Sequence, residues 1–402
     1  MKTKDKYDFI VLGAGVIGLA VARELKQREP DAAILVLEKE SCPGKHASGR
    51  NSGVLHSGIY YPTKSLKAKA CAAGSKAMAA YCQEHGLPLQ RVGKVVVPTC
   101  AENDTQIDLL LRRGKANGAR VSLLDETQLK EIEPAAHSAT GRALHSPDTA
   151  IIDPLAILNH LVSALEQQGV IFSFSTGCTR FDGDNQQVFS DELCFEYRHL
   201  YNATGQYADR IAKQFGVGEQ YTLIPFKGSY YSLSPASGIN INGLIYPVPD
   251  LNVPFLGVHS VRNIAGESYF GPSAMPAFGR ENYHALEGIN AADAAEISYR
   301  IVQQYWHNQQ GFRQLLHEEA GRLMKPRFVA AAKVLVPELE ASMLRPSQKV
   351  GIRPQLLDIQ THKLVMDFMV LRKENTTHVM NAISPAFTSA FAFAPLVVDA
   401  VE

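Results

Sequence analysis

The chain has 402 residues, of which 46% are hydrophobic, and its 40 basic residues balance 40 acidic ones. This length exceeds the usual limit of a single hydrophobic core, so we expect two domains, and the zero formal net charge argues against a nucleic-acid partner. Six cysteines without C-x-x-C spacing exclude a zinc knuckle and a disulfide framework and are typical of a reducing compartment. We predict no metal site and no transmembrane segment, and therefore a cytoplasmic protein.

A strand, a glycine turn, a helix and a second strand open the chain, and together they are typical of a dinucleotide-binding unit. The apolar strand of residues 7–12 leads into a G-x-G-x-x-G motif formed by Gly13, Gly15 and Gly18. The first glycine allows the tight turn, the second lets backbone N–H groups approach a pyrophosphate, and the third lets the helix pack against the strand. The second strand ends at Glu38, where an acid accepts hydrogen bonds from a ribose. We include Lys39 in this predicted site.

The loop that follows, residues 41–61, is rich in glycine, serine, histidine and asparagine. Glycines let a backbone approach a ligand closely, and hydroxyl and amide groups offer hydrogen-bond donors. We therefore predict that this loop contacts the cofactor through four residues: Ser48, Asn51, Ser52 and Gly53.

The middle of the chain alternates helices and strands. The predicted elements are helices over residues 65–85, 104–117, 126–132, 154–168 and 206–215 and strands over residues 94–97, 170–174 and 195–201. Asp153 is the predicted N-cap of the fourth helix, with Pro154 in its first turn. The last of these strands ends in a turn that is a second predicted place of cofactor contact, through Ala203, Thr204 and Gly205.

The remaining chain is predicted to form antiparallel strands over residues 222–272, helices over residues 285–343, and strands over residues 351–358 and 363–371. An apolar helix closes the chain and runs to about residue 401. Its predicted N-cap is Ser384, and Pro385 and Thr388 lie in its first turn. The positive pole of this helix would face the cofactor.

The single glycine motif indicates one bound dinucleotide, and the chemistry of the motif alone does not choose between FAD and NAD. The strand-turn-helix unit, the Ala-Thr-Gly turn and the final helix together resemble the D-amino-acid-oxidase-like FAD oxidoreductases. Within that superfamily, seven segments resemble the L-2-hydroxyglutarate oxidase/dehydrogenase family, in order along nearly the whole chain: residues 51–61, 65–69, 224–228, 245–249, 255–259, 351–355 and 381–385. Arg50 and Ser273 depart from the family pattern, and they leave the identity of the 2-hydroxy acid open.

The resemblance implies roles for three catalytic residues. Arg353 would clamp the substrate carboxylate, since a guanidinium offers a bidentate fork. His259 would accept the hydroxyl proton, and His56 is the alternative base or a flavin contact. FAD would be held non-covalently, with covalent attachment through His46 as the alternative.

Further side chains are candidates for the substrate pocket. A second carboxylate of a dicarboxylate substrate would need another cation, for which we consider Lys227, Arg262 and Arg50. Tyrosines would wall the pocket, among them Tyr60 and Tyr230, with Tyr61 and Tyr231 beside them in the sequence.

The expected fold class is α/β, in which an FAD-binding Rossmann-like domain (residues 1–88, 145–220 and 350–402) is interleaved with a substrate domain of mixed antiparallel sheet and helices (residues 89–144 and 221–349). The expected reaction is oxidation of an L-2-hydroxy acid, with L-2-hydroxyglutarate as the first choice, to the 2-oxo acid by hydride transfer to flavin N5. Quinone or oxygen would accept the electrons, and peripheral association with the inner face of the cytoplasmic membrane stays open. The alternatives are an amine oxidase of the glycine or sarcosine oxidase kind, and a flavin-binding module without turnover.

Overall fold

The computed structural model describes residues 5–191, 193–251 and 255–400. Its helices are α1 (Val16–Arg28), α2 (Leu66–Glu84), α3 (Asp104–Ala116), α4 (Glu126–Ile132), α5 (Pro154–Gln167), α6 (Ala208–Gln214), α7 (Ala291–His307), α8 (Phe312–Arg322), α9 (Lys325–Lys333) and α10 (Ala386–Asp399). In this part of the chain, no helix combines the length and the apolar character needed to cross a membrane.

The strands are β1 (Asp5–Leu12), β2 (Ile34–Leu37), β3 (Val54–Leu55), β4 (Leu89–Arg91), β5 (Lys94–Val97), β6 (Ser122–Leu124), β7 (Ala143–Ser146), β8 (Ala150–Ile152), β9 (Ile171–Ser173), β10 (Arg180–Asp182), β11 (Gln187–Ser190), β12 (Leu193–Asn202), β13 (Tyr221–Leu233), β14 (Leu244–Pro247), β15 (His259–Arg262), β16 (Ser268–Gly271), β17 (Met275–Pro276), β18 (Leu344–Asp358), β19 (Lys363–Leu364), β20 (Met369–Lys373) and β21 (Thr376–Asn381).

The largest sheet carries the start of the chain. Its strands follow the order β10-β11-β12-β1-β2-β9, and β21 joins the same sheet beside β12. Strand β1 runs parallel to both β2 and β12. Alternate residues of a strand point to opposite faces, so Phe9 and Val11 enter a core with α1, α5 and α10, whereas Ile10 and Leu12 enter a second core with α6. Both faces are therefore covered, as expected for parallel strands.

A six-stranded sheet forms the other main layer, in the order β15-β16-β13-β18-β19 with β17 beside β13. Its two longest strands, β13 and β18, run antiparallel and place Phe226 opposite Arg353. Two smaller sheets, β14-β5-β7-β6 and β3-β8-β4, lie alongside. A buried ion pair joins α6 to the segment before α7, because Arg280 donates to both carboxylate oxygens of Asp209 at 2.7 and 2.9 Å.

These observations confirm the α/β fold class and most of the predicted elements. The single strand expected over residues 363–371 is two strands of different sheets, β19 and β20. The expected direction is wrong for β14, which lies within the region expected to be antiparallel but pairs parallel with β5. The alternation of apolar residues shows which side chains are buried, but it carries no information on strand direction, and the partner strand lies about 150 residues earlier in the chain. The predicted end of the last helix near residue 401 lies outside the described residues. The domain boundaries stay a prediction. One of them, at residue 350, falls inside strand β18.

Candidate active site

Two cavities meet at the carboxyl end of β1. The larger, of about 460 Å³, is lined by Glu38 and the residues after it. The smaller, of about 250 Å³, extends to His259 and Arg353. They share five lining residues: Gly15, Ala47, Ser48, Ala203 and Gly205. The result is one elongated path over the glycine turn, which is the shape that an extended dinucleotide requires.

The glycine turn leaves room for a ligand at one of its three glycines. A Cβ on Gly13, which has φ of +98°, would lie 2.8 Å from the carbonyl oxygen of Ala203, and a Cβ on Gly18 would lie 1.9 Å from the carbonyl oxygen of Gly13. Both glycines are therefore needed by the turn itself. A Cβ on Gly15 would meet only the Ser48 hydroxyl, at 3.0 Å, so this side of the turn is open to the cavity.

The N-terminus of α1 supplies the donors at this point. The Val16 N–H donates to the Ser48 hydroxyl at 2.9 Å, and the N-cap of the helix is Gly15, which has no side chain to cover the other N–H groups of the first turn. Backbone N–H groups and the positive pole of a helix are what a pyrophosphate binds. The turn, the helix and Ser48 fit a dinucleotide cofactor.

Glu38 lines the larger cavity beside the glycine turn. Its two oxygens accept hydrogen bonds from the backbone N–H groups of Ala14 at 2.8 Å and Glu40 at 3.0 Å. An ionised carboxylate has about four acceptor positions, so the group holds the turn and still has capacity for ribose hydroxyls. Lys39 also lines this cavity, and its ammonium pairs with Glu40 and Glu281 at 2.5 and 2.6 Å.

His46 lies in the larger cavity, away from His56 and His259. Its Nδ1 lies 2.9 Å from the Tyr283 hydroxyl and its Nε2 lies 2.9 Å from a Glu40 oxygen. Both ring nitrogens of His46 therefore already have side-chain partners.

The other predicted cofactor contacts surround the junction of the two cavities. Ala203 and Gly205 line both of them, Thr204 lines the larger, and Asn51 and Ser52 line the smaller. Gly53 does not line either cavity. It has φ of +74°, and its N–H donates to the Asn51 side chain at 2.8 Å, so it shapes the loop.

The first turn of α10 closes the smaller cavity, which Ser384, Pro385 and Thr388 line. The prediction that Ser384 is the N-cap is wrong: Pro385 is the N-cap, and no side chain bonds to the first turn there. Pro385 has φ of −100° and ψ of 51°, which are not helical, so the helix begins one residue later than expected. The Thr388 hydroxyl accepts from the His56 N–H at 3.1 Å and fixes the loop against the helix.

His259 begins β15 and is buried, with its ring centroid 4.0 Å from that of Tyr246. Its Nδ1 lies 2.8 Å from the carbonyl oxygen of Gly257. Because a carbonyl only accepts, Nδ1 carries the proton and Nε2 keeps its lone pair. Burial lowers the pKa of His259 to about 4, partly offset by this hydrogen bond, so the imidazole is neutral near pH 7.

Two further groups face the same cavity. Arg353 lies on β18, partly buried, with its guanidinium 5.2 Å from the centre of the Phe255 ring. Burial lowers its pKa, but an arginine stays charged in proteins. Burial, and then the positive charge of Lys94, hold the pKa of His56 well below its usual value.

The remaining predicted substrate residues are divided between the cavity and its surroundings. Tyr230 and Arg50 line the smaller cavity. Lys227 lies outside it and donates to the Asn282 side chain at 3.4 Å. Arg262 also lies outside, and it donates to the carbonyl oxygen of Asn242 at 3.1 Å. Tyr60 is buried behind the wall.

Sequence reasoning missed three residues of this region: Lys94, Tyr246 and Glu319. Lys94 is buried although it is the first residue of an otherwise apolar strand. A lysine next to three valines was the feature of the sequence that could have indicated a buried cation. Glu319 on α8 lines the cavity and pairs with Arg322. A helix of mixed charge gives no sign of which acid is buried.

Comparisons with known proteins agree with this geometry. The family model described as FAD dependent oxidoreductase matches residues 8–400. The chain is 35% identical over 398 residues to the L-2-hydroxyglutarate dehydrogenase of Indibacter alkaliphilus, covering 96% of each chain. It is 33% identical over 405 residues to the enzyme of the same name from Escherichia coli K12, covering 98% of this chain and 93% of the other.

The fold also matches solved structures. The L-alpha-glycerophosphate oxidase of Mycoplasma pneumoniae, solved with FAD bound, superposes with a TM-score of 0.76 at 22% identity, covering 99% of this chain and 95% of the other. At this identity the match concerns the fold alone.

Proposed function

Because the chain belongs to the family of FAD-dependent oxidoreductases, we propose that it oxidises L-2-hydroxyglutarate to 2-oxoglutarate. Relatives at 33 to 35% identity over nearly the whole chain carry the name of that activity. When bound, FAD supplies the acceptor for the substrate hydride at N5. The observation that carries the proposal is a partly buried arginine and a buried neutral histidine facing one cavity, Arg353 and His259.

Arg353 binds the carboxylate next to the reacting carbon. A partly buried guanidinium offers a planar fork of donors to a carboxylate, and the low dielectric of the site strengthens that pair. Fixing this end of the substrate orients its hydroxyl and its Cα–H together. The same arrangement binds an amino acid equally well, so the clamp alone does not separate the two chemistries.

His259 accepts the proton of the substrate hydroxyl at Nε2. The Nδ1–H stays bonded to the Gly257 carbonyl, which fixes the tautomer and also stabilises the imidazolium after proton transfer. The binding of a dianionic substrate beside the ring favours that imidazolium and raises the low pKa of His259 toward neutrality. When FAD is bound, the N-terminus of α10, at Phe387 and Thr388, would stabilise negative charge on the flavin N1–C2=O edge.

We propose that FAD is held non-covalently. Both nitrogens of His46 are engaged by Tyr283 and Glu40, away from the cavity that holds His56 and His259. Acid precipitation should therefore release FAD into the supernatant and leave a colourless pellet. A yellow pellet would establish a covalent bond instead.

Anaerobic mixing of the purified holoenzyme with single substrates tests the reaction. L-2-hydroxyglutarate should bleach the flavin and yield one 2-oxoglutarate per FAD, while glycine, sarcosine and glycerol 3-phosphate should leave the flavin oxidised. Bleaching by an amine, with ammonia or formaldehyde as product, would establish the amine oxidase alternative. Oxidised flavin with every substrate would establish a binding module without turnover.

We propose quinone or oxygen as the final electron acceptor, and a cytoplasmic enzyme that reaches quinone from the inner face of the membrane. Stopped-flow reoxidation of the reduced enzyme, with a short-chain ubiquinone in one syringe and dissolved oxygen in another, separates the two acceptors. Reoxidation by neither would refute this assignment.

A further inference from the structure

Lys94 is a buried cation that the proposed reaction does not use. It lies on β5, and its side chain is 1% exposed. Its ammonium nitrogen lies 4.6 Å from the ring centre of Tyr60 and 5.1 Å from that of Tyr246. Tyr246 lines the smaller cavity and contacts His259. The ammonium therefore lies directly behind a side chain of the cavity wall, that of Tyr246.

Three polar atoms in this region have no hydrogen-bond partner among the described residues: the Lys94 ammonium nitrogen, the Tyr60 hydroxyl and Nδ1 of His56. All three residues are at least nine-tenths buried. Buried polar groups are almost always hydrogen-bonded, and a buried ammonium without a partner is especially unfavourable. The cluster is therefore built for something that the chain itself does not supply.

The chemistry of the missing group follows from the charges. Burial lowers the pKa of Lys94 to about 7, and the Cys71 thiol offsets a part of this shift. No carboxylate of the described residues contributes to it. The second buried lysine, Lys67, differs because the negative charge of Asp367 lies near it and raises its pKa in part. Besides Arg353, Lys94 is thus a second cation close to the cavity. An anionic group, with acceptor oxygens for an ammonium and a hydroxyl, fits that place.

We infer that Lys94 and Tyr60, beside His56, form the subsite for the second carboxylate of the substrate, at the opposite end from the carboxylate that Arg353 binds. This inference rests on the proposed oxidation of L-2-hydroxyglutarate and adds the group that selects a dicarboxylate. It places the selecting cation on the four-stranded sheet, instead of at Lys227 or Arg262, which already donate hydrogen bonds to Asn282 and Asn242.

Binding of two keto acids to the oxidised holoenzyme tests the subsite without turnover. 2-Oxoglutarate carries the second carboxylate, and 2-oxopentanoate has the same carbon chain without it. The dissociation constants are read from the flavin spectrum at about pH 6, below the pKa of Lys94. Lys94→Met should weaken binding of 2-oxoglutarate roughly 10- to 100-fold, the worth of a hydrogen bond to a charged group, and change binding of 2-oxopentanoate less than about threefold.

Lys349→Met is the matched control, since Lys349 also lies over an aromatic ring of the pocket wall, that of Tyr230 at 5.5 Å, but has the carboxylate of Glu267 near it. It should leave both constants unchanged. If Lys94→Met keeps the preference for 2-oxoglutarate, or if Lys227→Met abolishes it instead, the subsite is refuted. Failure of L-2-hydroxyglutarate to reduce the wild-type flavin refutes the proposed function separately.

A measurement on the wild type covers the case in which Lys94→Met does not fold. The preference for 2-oxoglutarate should fall as pH rises from about 6 to 8.5, because Lys94 loses its charge through its pKa of about 7. The other groups that face the ammonium keep one protonation state in this range, since burial raises the pKa values of Cys71, Tyr60 and Tyr246 and lowers those of His56 and His259. A constant preference across this range would overturn the inference.

Discussion

Replacement of His259 by asparagine isolates the proton acceptor from the structural part of the side chain. The amide nitrogen of asparagine takes nearly the place of Nδ1 and can keep the hydrogen bond to the Gly257 carbonyl. The acceptor at Nε2 is lost. General-base catalysis contributes roughly 10²- to 10⁴-fold, which is about 2.7 to 5.4 kcal/mol of activation free energy. A purely structural role for the ring would involve one buried neutral hydrogen bond, worth only about 0.5 to 1.5 kcal/mol.

Anaerobic stopped-flow reduction of the flavin by saturating L-2-hydroxyglutarate measures the difference between the two roles. We expect His259→Asn to slow reduction at least about 100-fold, with FAD content unchanged. His56→Asn is the comparison, since that ring also faces the cavity but its Nδ1 has no hydrogen-bond partner among the described residues. It should change reduction less and the flavin spectrum more. Loss below about tenfold in His259→Asn would refute the base assignment.

The dependence of kcat/KM on pH gives a second check, because it reports the free enzyme. Burial lowers the pKa of His259 to about 4 in that state. Only the neutral ring accepts a proton, so kcat/KM should fall as pH drops through about 4 and should show no histidine inflection between about pH 6 and 8. The acid limb should be absent in His259→Asn. An inflection near pH 6.5 that disappears with His56→Asn would reverse the roles of the two histidines.

Three further changes test other parts of the structure. Arg353→Met should lower kcat/KM for L-2-hydroxyglutarate at least about 100-fold, or about 2.7 kcal/mol, at normal FAD content. A loss of less than about tenfold would refute the role of Arg353 in binding the substrate carboxylate. Gly15→Ala should abolish FAD binding without lowering the free energy of unfolding of the apoprotein. Gly18→Ala should lower both FAD binding and that free energy, since its Cβ would lie 1.9 Å from a carbonyl oxygen. Equal effects of the two variants on apoprotein stability would contradict this contrast. Arg280→Met should lower the free energy of unfolding in urea by about 3 to 5 kcal/mol, because Asp209 stays buried without its partner; a change under about 1 kcal/mol would show that the pair is not uniquely needed.

The parts that sequence predicted well are local in the chain. The glycine turn, β2 and Glu38 lie within about 35 residues, and short-range patterns of apolar and glycine residues determine their arrangement. The bounds of α4 match the prediction, because Asp125 and Gln128 form a capping box that the sequence displays. The roles of Arg353 and His259 came from resemblance, since neither residue has a local pattern that sets it apart from a structural one.

The parts that sequence missed depend on contacts between distant segments. Lys94 reads as the polar end of a strand, and only the packing of Tyr60 and Tyr246 around it makes it a buried cation. The parallel pairing of β14 with β5 has the same origin. Ser384 was misplaced as a cap because Ser-Pro favours a helix start in general, whereas the backbone of Pro385 is not helical here.

Helix α10 is last in the chain, yet it packs against α1 and α2 and its first turn forms one edge of the cavity. A ribosome releases α1 long before residues 386–399. During synthesis the nascent chain therefore carries a complete glycine turn but an unfinished flavin site. The flavin site is therefore complete only once α10 has been made, and a chain cut short before residue 386 lacks one edge of that site, even if most of its sheets have formed.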